Sequence, residues 1–578
     1  MNQRPPIPRQ IKAVAAVLAS FAGAAVSADF AFVDASRQRG IEPYAAPAGF
    51  CMGIAAADFD DDGDIDLFVP TEAGVPHQLY VNQGDGLYLE CATSVGVGGL
   101  ERGRAAVFVD VDGDHLLDLV VAGDCNGLGD DCLAQPTLHL YLQGADGVFI
   151  DATASAGFGD DLVTFAGQHR GGLAAADLDG DDDLDLVTGL WAGEARVLIN
   201  DGTGTFDDAG VPGVTGVTRG HWQPLLHDFD GDGDTDLFWA IDFTANLLWL
   251  RQDDGTYDEV AADAGLALAW NDMGIAFGDP DNDADLDLFI TEITGRERFS
   301  VLFRNDSIGS ALSYAQVADQ AGVDATGFAW GATLLDADLD GALDLAVANG
   351  YPNPPHDTDA SRFFRNVDAT SLAFEDVSSD VGFDDTYRSS GLVSLDVDRD
   401  GDLDLVQACS DGGPLRLLEN ELSGAAADRH WLVVRPRMDG ANHRAIGATV
   451  RIDTGDRTSI AAIRAGSSIC SQEPAEAHFG LGATTSVACV TIAFPDGSIA
   501  VRTDVAADQV LTIQAGDCGG DVDCSGTVDV ADLIAMLTAW GPCPDCPEDV
   551  DGSGVVNVAD LVALLTAWGP LCEVSQTP

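Results

Sequence analysis

Short apolar runs, each closed by an acidic or glycine-rich break, recur along most of the chain. Leu247-Leu248-Trp249-Leu250 and Val197-Leu198-Ile199 have strand length, and Gly-rich turns at 84–86 and 202–204 separate neighbouring runs. A second phrase repeats among them. Phe30-Ala31-Phe32-Val33-Asp34 leads to Arg39-Gly40-Ile41, Phe149-Ile150-Asp151 to Ala156-Gly157-Phe158, and Phe374-Glu375-Asp376 to Val381-Gly382-Phe383, with looser copies at Tyr88, Phe206, Tyr257 and Tyr314. No long helical period is evident before residue 520, so the pattern predicts a mainly β chain with helix confined to its end.

Between the apolar runs stands an acidic phrase in seven copies, with Asp at positions 1, 3, 5 and 9 and an apolar sequel. The copies are Asp58, Asp60, Asp62 and Asp66; Asp110, Asp112, Asp114 and Asp118; Asp177, Asp179, Asp181 and Asp185; and Asp228, Asp230, Asp232 and Asp236. The remaining three are Asp279, Asp281, Asp283 and Asp287; Asp336, Asp338, Asp340 and Asp344; and Asp396, Asp398, Asp400 and Asp404. Carboxylates at alternate positions of a tight loop point at one centre, as in the front half of an EF-hand calcium loop. Without a cation each pair repels by about 1 kcal/mol even in bulk water. A solvated acidic turn would explain one copy; seven with the same four positions point to calcium (Ca2+) as the cofactor.

The spacings between successive loops are 52, 67, 51, 51, 57 and 60 residues, the range of propeller blades rather than of short solenoid coils. Seven aromatic phrases accompany the seven loops, but the first precedes any loop and none follows the last. The Phe30 strand can therefore complete the last unit and close a ring. The expected fold is a seven-bladed β-propeller over residues 29–425.

Composition narrows the function. The chain of 578 residues carries 96 acidic and 27 basic residues, a formal charge of -69, which excludes a nucleic-acid groove built on clustered Lys and Arg. A hydrophobic fraction of 46% is that of a globular chain, so the acid reads as ligand rather than disordered tail. Lys12 is the one lysine, which removes Schiff-base and phosphate-cradle chemistry. Arg4, Arg9 and Lys12, the apolar run Val14 to Val26, and small residues Ala25, Ser27 and Ala28 read as a signal peptide over 1–28, and no other stretch is apolar enough to span a membrane. Export to an extracellular location, with cell-surface anchoring as one form of it, is expected, where calcium is abundant and cysteines oxidise.

The acidic phrases resemble FG-GAP or VCBS-type repeats of integrin α-like propellers, a resemblance that implies calcium bound between the first two strands of each blade. Gly stands at position 6 in Gly63, Gly233, Gly341 and Gly401 but is replaced by His115, Asp182 and Ala284, so the second, third and fifth sites are expected to be weaker or distorted. Over 426–516 the acidic loops stop and arginines appear. His430-Trp431-Leu432-Val433-Val434-Arg435, Ile446-Gly447, Ile463-Arg464-Ala465-Gly466-Ser467-Ser468, His478-Phe479-Gly480 and Phe494-Pro495-Asp496-Gly497 imply a small β domain. It resembles the ASPIC/UnbV domain that follows FG-GAP repeats in bacterial relatives of cartilage acidic protein.

Residues 517–572 contain a near-duplicate, ahead of a tail at 573–578. Asp521, Asp523, Ser525, Asp529 and Asp532 precede an apolar run to Trp540-Gly541, and Asp549, Asp551, Ser553, Asn557 and Asp560 precede one to Trp568-Gly569. Oxygen side chains at 1, 3, 5, 9 and 12, with Gly526 and Gly554 at 6, follow EF-hand loop logic with Asp at the twelfth position. The pair resembles a dockerin module, which implies a cohesin-like or other surface or scaffold protein as partner. Val530-Ala531 and Val558-Ala559 stand where cellulosomal dockerins frequently carry hydroxyl residues. A calcium-stabilised end cap without a partner is the alternative.

Cys125 and Cys132 are placed to clip an insertion, Cys470 and Cys489 to pair in the small β domain, and Cys518 with Cys543 and Cys546 with Cys572 to tie the terminal units, though spacing does not fix connectivity. Cys51, Cys91, Cys409 and Cys524 have no assigned partner, and a zinc site at Cys543–Cys546 lacks nearby histidines. Polar and aromatic residues ahead of several loops, namely His169, Arg170, His221, Trp222, Trp270, Trp330 and Arg388, are candidates for a glycan- or protein-binding rim. No nucleophile and base pair is recognisable among them, so no catalytic residue is assigned. The expected function is a secreted, calcium-binding, non-catalytic adhesion or ligand-binding protein anchored through the terminal module. The alternative is a carbohydrate-active lyase or hydrolase using the propeller's central face.

Overall fold

The computed structural model describes residues 29–41, 53–123, 138–158, 170–210, 214, 218–293, 299–410, 413–516, 520–522, 527–542, 550, 555–566 and 568–570. The signal-peptide reading, Cys51, Cys125, Cys132, His169 and much of the two terminal loops lie outside them. The chain is mainly β, built from repeated four-stranded antiparallel sheets. Ala55–Ala57, Asp66–Val69, Gln78–Asn82 and Tyr88–Glu90 form the first sheet. Gly103–Val109, Asp118–Gly123, Leu138–Gln143 and Phe149–Asp151 form the second. The same up-and-down order recurs from Ile275–Gly278 to Tyr314–Gln316 and from Ala329–Leu335 to Ala373–Asp376. The first strand of each sheet runs into an acidic loop, and the second strand begins on that loop's ninth residue.

One pairing departs from the expected separation. The strands Asp185–Glu194 and Thr218–His227 belong to successive repeats, but each runs ten residues and overshoots its sheet. Their overshooting ends pair, Trp191 opposite Gly220, and join two repeats into a nine-stranded sheet.

The Phe30 strand does what the offset of phrases and loops requires. Phe30–Asp34 pairs antiparallel with Leu418 to Leu422, on the edge of the sheet formed by Ser389–Leu395, Asp404–Cys409 and Leu415–Leu422. Its inward residues enter an aromatic cluster, Phe30 and Phe32 lying 5.4 and 5.3 Å from the Phe363 ring. Cores are shared between neighbouring sheets, and the last sheet shares one with the first, through Val393, Leu395 and Leu417 against Ala56, Leu67 and Tyr80.

The Gly that follows the aromatic phrase has a structural cause. A four-residue helical turn such as Ser378–Val381 ends on it, and Gly382 sits at φ +78°. A Cβ there would also lie 2.9 Å from the carbonyl oxygen of Phe32, so both backbone angle and close approach favour glycine.

Hydrogen bonds stitch the sheets in one sense round the ring. At the end of the third strand, the Asn82 side chain donates to the Val397 carbonyl, Gln143 to Phe59, Asn200 to Val111, Asn366 to Pro280 and Asn420 to Ala337. Each acceptor is the second residue of the preceding sheet's acidic loop.

His430–Arg437 centres a three-stranded sheet, antiparallel to Ala477–Gly482 and parallel to Gln509–Gln514. A four-stranded sheet, ordered Thr458–Ala462, Thr449–Asp453, Ser486–Ala493, Ile499–Ala506, completes this unit. Its strap over 465–473 reaches the first strand of every repeat. Ala465 bridges Ala175, Ser468 bridges Ile275 and Gln472 bridges Ala55. The Gln472 side chain accepts from the Phe108 N–H and donates to its carbonyl, Gln223 accepts from the Cys470 N–H, Ser468 accepts from Ala332 N–H, and Ser394 donates to Glu473. The strap thus fills the point where the first strands converge.

The expected Cys470–Cys489 pairing is not the one formed. Cys489 is disulfide-bonded, whereas Cys470 retains its thiol, buried in the strap. Cys470 is held against Gln223 on the axis, while Cys489 lies on a strand of the outer sheet, so Cys489's partner lies outside the described residues. Cys91 and Cys409 are also thiols.

Candidate metal centres

The seven acidic loops share one backbone. The carboxylate at position 1 accepts the N–H of position 6 in every copy, at 2.6 to 3.2 Å. Position 5 accepts the N–H of position 7, closing a second small turn. Positions 4 and 6 are left-handed throughout, from Asp61 and Gly63 to Arg399 and Gly401. These turns aim the outer oxygens of positions 1, 3 and 5 inward. Asp58, Asp60 and Asp62 bring ligand atoms within 4.8 Å of one another, as do Asp228, Asp230 and Asp232, and Asp279, Asp281 and Asp283. In the second and third loops the sets are Asp110, Asp112 and Asp118, and Asp177, Asp179 and Asp185.

Position 9 also anchors the loop to its sheet. One oxygen accepts from the end of the third strand in all seven repeats, Asn82 to Asp66 and Asn420 to Asp404 among them, at 2.7 to 2.8 Å. The other accepts from loop position 2, as Phe229 does for Asp236 at 2.9 Å. In the fifth loop position 2 is Pro280, which has no N–H, and Asp287 Oδ2 is left unmatched.

The chemistry of this donor set fits a hard cation. Burial, and then the Asp60 and Asp58 charges, push the Asp66 carboxyl up to about 9. Burial with like-charged neighbours raises Asp60 to about 6, Asp279 to about 7 and Asp402 to about 9. Carboxylates so placed take up protons near neutrality unless a cation neutralises them. Buried oxygens with no hydrogen-bond partner remain at Asp58, Asp112, Asp230, Asp281 and Asp396, in five different loops. A donor set made of carboxylate oxygens suits a hard cation such as calcium.

His115, Asp182 and Ala284 replace glycine at position 6 yet keep its left-handed backbone, at φ +69°, +73° and +72°. The strain expected from the sequence is therefore stored in the backbone rather than released by a changed loop. Left-handed backbone costs a non-glycine residue roughly 1–2 kcal/mol. Ala284→Gly is expected to stabilise the protein by about 1 kcal/mol, read as a higher thermal midpoint. A midpoint equal to or below that of the parent would show that Ala284 is unstrained.

In the terminal unit the helices Val530–Thr538 and Val558–Thr566 each begin inside the acidic phrase. Asp529 and Asp532 close a capping box, and Asn557 N–H donates to Asp560 in the same way. Asp521, Asp532 and Asp560 are buried; Asp523, Ser525, Asp549, Asp551 and Ser553 lie outside the described residues. Val528, Met536, Val556 and Leu564 form the small core between the helices. The opposite faces are open. Val530, Ile534, Leu537 and Trp540 are exposed on one copy, and Val558, Val562, Leu565 and Trp568 on the other.

Of the candidate rim residues, Arg170, His221, Trp222 and Trp330 lie on first strands, toward the end away from the acidic loops, Trp270 lies on the short strand Ala269–Asn271 and Arg388 just precedes Ser389–Leu395; three of them are core residues. His221 is wholly buried against Trp239, with ring centroids 4.8 Å apart. Trp222 packs edge-on to Trp330 at 5.7 Å beneath the Arg104 guanidinium, and Trp330 donates its indole N–H to Gly350. Trp270 and Arg388 are half-buried, Arg170 is placed by its backbone on Arg170–Ala176, and His169 is not described. A buried group near this end was missed. Asp272, fully buried and raised well above the carboxylate range by burial and then by Glu292, hydrogen-bonds with Glu292, while Asn246 donates to it. Also missed were the arginines that reach the loops from outside them, Arg251 to Asp234 within one repeat and Arg399 of the seventh loop to Asp64 of the first, both at 2.5 Å.

Comparison with known proteins agrees with the repeats and with the smaller β unit. Residues 58–121 and 228–290 match the FG-GAP-like repeat, and residues 438–519 match the family described as ASPIC and UnbV. The chain thus combines FG-GAP-like repeats with an ASPIC/UnbV domain. It is similar to cartilage acidic protein 1 of Mus musculus, 24% identical over 508 residues, which covers 81% of this chain and 74% of the relative. The Homo sapiens protein of the same name is 26% identical over 307 residues, 51% of this chain and 43% of that one. Among solved structures, one of BBS1N in complex with ARL6DN, soaked with mercury, aligns with a TM-score of 0.39 and 11% identity over 67% of this chain and 96% of that chain. Among the described residues no helix is long and apolar enough to cross a membrane.

Proposed function

We propose that this is a secreted, calcium-binding, non-catalytic adhesion or ligand-binding protein, anchored to a surface or scaffold through a dockerin-like terminal module. In this reading residues 29–425 form a seven-bladed propeller, each blade clamped by an acidic loop, and the propeller presents a surface for a glycan or protein. Sheet-to-sheet cores that return from the last sheet to the first support the blade count. The strap over 465–473 supports a non-catalytic role, because it fills the axis that a central-face enzyme would use. The similarity to a cartilage acidic protein supports an extracellular setting.

One observation carries the anchoring. Ile534 and Leu537 on one helix, with Trp540 just past its end, are matched twenty-eight residues on by Val562, Leu565 and Trp568, all exposed. Two matching apolar stripes on so small a unit are costly in water and suit a partner with a complementary apolar face. Pull-down of the full chain with cohesin-like domains should succeed in calcium, fail in excess chelator, and fail for the Ile534→Asp/Val562→Asp variant. Capture that ignores both chelator and substitution, or no capture at all, removes the anchoring reading.

A further inference from the structure

Resting on the calcium reading, we infer that the seven acidic loops are not equivalent, and that the sixth is closed by arginine side chains in place of a metal ion. In that loop both oxygens of Asp338, the position-3 carboxylate, are already engaged. Arg365 binds Oδ2, and Arg429 Nη1 lies 2.9 Å from Oδ1. Asp338 is buried, its side chain 1% exposed, so neither contact is a loose surface pair. A third guanidinium covers the loop, Arg457 donating to the Asp340 carbonyl at 2.9 Å and to Gly480.

The remaining carboxylates are satisfied as well. Asp336 accepts the N–H groups of Asp340 and Gly341, one on each oxygen, and Asp344 accepts those of Ala337 and Asn366. None of the buried oxygens left without a partner belongs to this loop, whereas five other loops each have one at position 1 or 3. Arginine elsewhere acts differently. Arg251 takes position 7 of the fourth loop and leaves Asp230 Oδ1 unmatched; Arg39 takes only one oxygen of Asp398 in the seventh and leaves Asp396 Oδ1 unmatched.

The electrostatics select the same loop. Two guanidinium charges on one carboxylate equal the charge of a divalent ion, and an ion at the loop centre would sit against both of them without water between. Arg429 comes from the link into the ASPIC/UnbV-like domain and Arg457 from within it. The sixth loop is therefore a permanent ion-pair joint between the repeats and that domain, independent of calcium. The prior expectation placed the weak sites at the second, third and fifth loops, from position 6 alone. It could not see charges delivered from more than twenty residues away.

The test is calcium stoichiometry on the full chain, desalted in calcium buffer and counted by atomic emission. Asp230→Asn in the fourth loop should lose one equivalent, and Asp338→Asn should lose none. Loss of one equivalent in Asp338→Asn overturns the inference. If that variant fails to fold, the unaltered chain decides. One equivalent fewer than its nine candidate loops supports the arginine joint, and a full complement overturns it. Should Asp230→Asn also lose nothing, the calcium reading itself fails, a distinct outcome.

Discussion

Excess chelator is expected to lower the thermal midpoint of this protein by tens of degrees if the acidic loops hold calcium as proposed. The loops cannot relax when the cation leaves, because position 9 is tied to the third strand and position 1 to the backbone of its own turn. The carboxylates are left facing one another in partly buried surroundings, where each close pair repels by several times its value of about 1 kcal/mol in water. Binding supplies the opposite term. A site held at a hundredfold excess over its Kd contributes about 2.7 kcal/mol to the folded state, and several such sites act on one cooperative ring. Calorimetric scans with calcium and with excess chelator measure the difference. An unchanged midpoint would make the loops ordinary acidic turns.

The second large effect lies at the ring's closure. Phe30 and Phe32 are 1% and 5% exposed, and their rings meet Phe363 and Phe383. Truncating a buried phenylalanine to alanine typically costs about 3–5 kcal/mol. The five-residue strand is otherwise held by its backbone pairing with Leu418 to Leu422 and by Arg416 at Asp34, so the two rings supply most of its buried apolar contact. Phe30→Ala/Phe32→Ala should detach the strand, expose the edge at Leu415–Leu422, and produce early proteolytic cleavage with a much lower midpoint. Val33 faces solvent on the same strand, and Val33→Ala should stay within about 0.5 kcal/mol of the parent. If both variants melted alike, closure would not depend on this strand.

The repeat was legible because loop chemistry and strand patterning are local. Asp at alternate positions, the apolar sequel and the offset of the Phe30 phrase needed only counting. The arginine contacts were not legible, since Arg365, Arg429 and Arg399 meet their carboxylates only once distant segments are side by side. The strap was hidden for a related reason: Ile463-Arg464-Ala465-Gly466 reads as an ordinary strand and turn, and nothing in it announces that seven other strands converge there. His221 and Trp222 misled in the opposite direction. Polar and aromatic residues at a strand entrance suit a rim as well as a core, and only packing against Trp239 and Trp330 decides. The Asn at the end of third strands, as at Asn82, Asn200 and Asn366, was in plain view, but its role required knowing which sheet lay next door.

That asparagine stitch makes the ring mechanically lopsided. Among the described residues its side-chain bond is made to the first, second, fifth, sixth and seventh loops. The ASPIC/UnbV-like domain reaches the same five, with hydrogen bonds between Arg435 and Gly63, Ser459 and Asn282, Arg457 and Asp340, and His478 and Gly401, and with His443 Nδ1 3.3 Å from the Asp110 carboxylate. Among the described residues the fourth loop has neither brace and the third has only Arg251, which donates to the Asp179 carbonyl from the next repeat, and these are the repeats fused by the long strands of the nine-stranded sheet. The molecule therefore has a stiff arc and a compliant one. In the proposed setting, tension between a ligand on the repeats and a partner on the terminal module would gather deformation in the compliant arc, and ions held there would feel the load first.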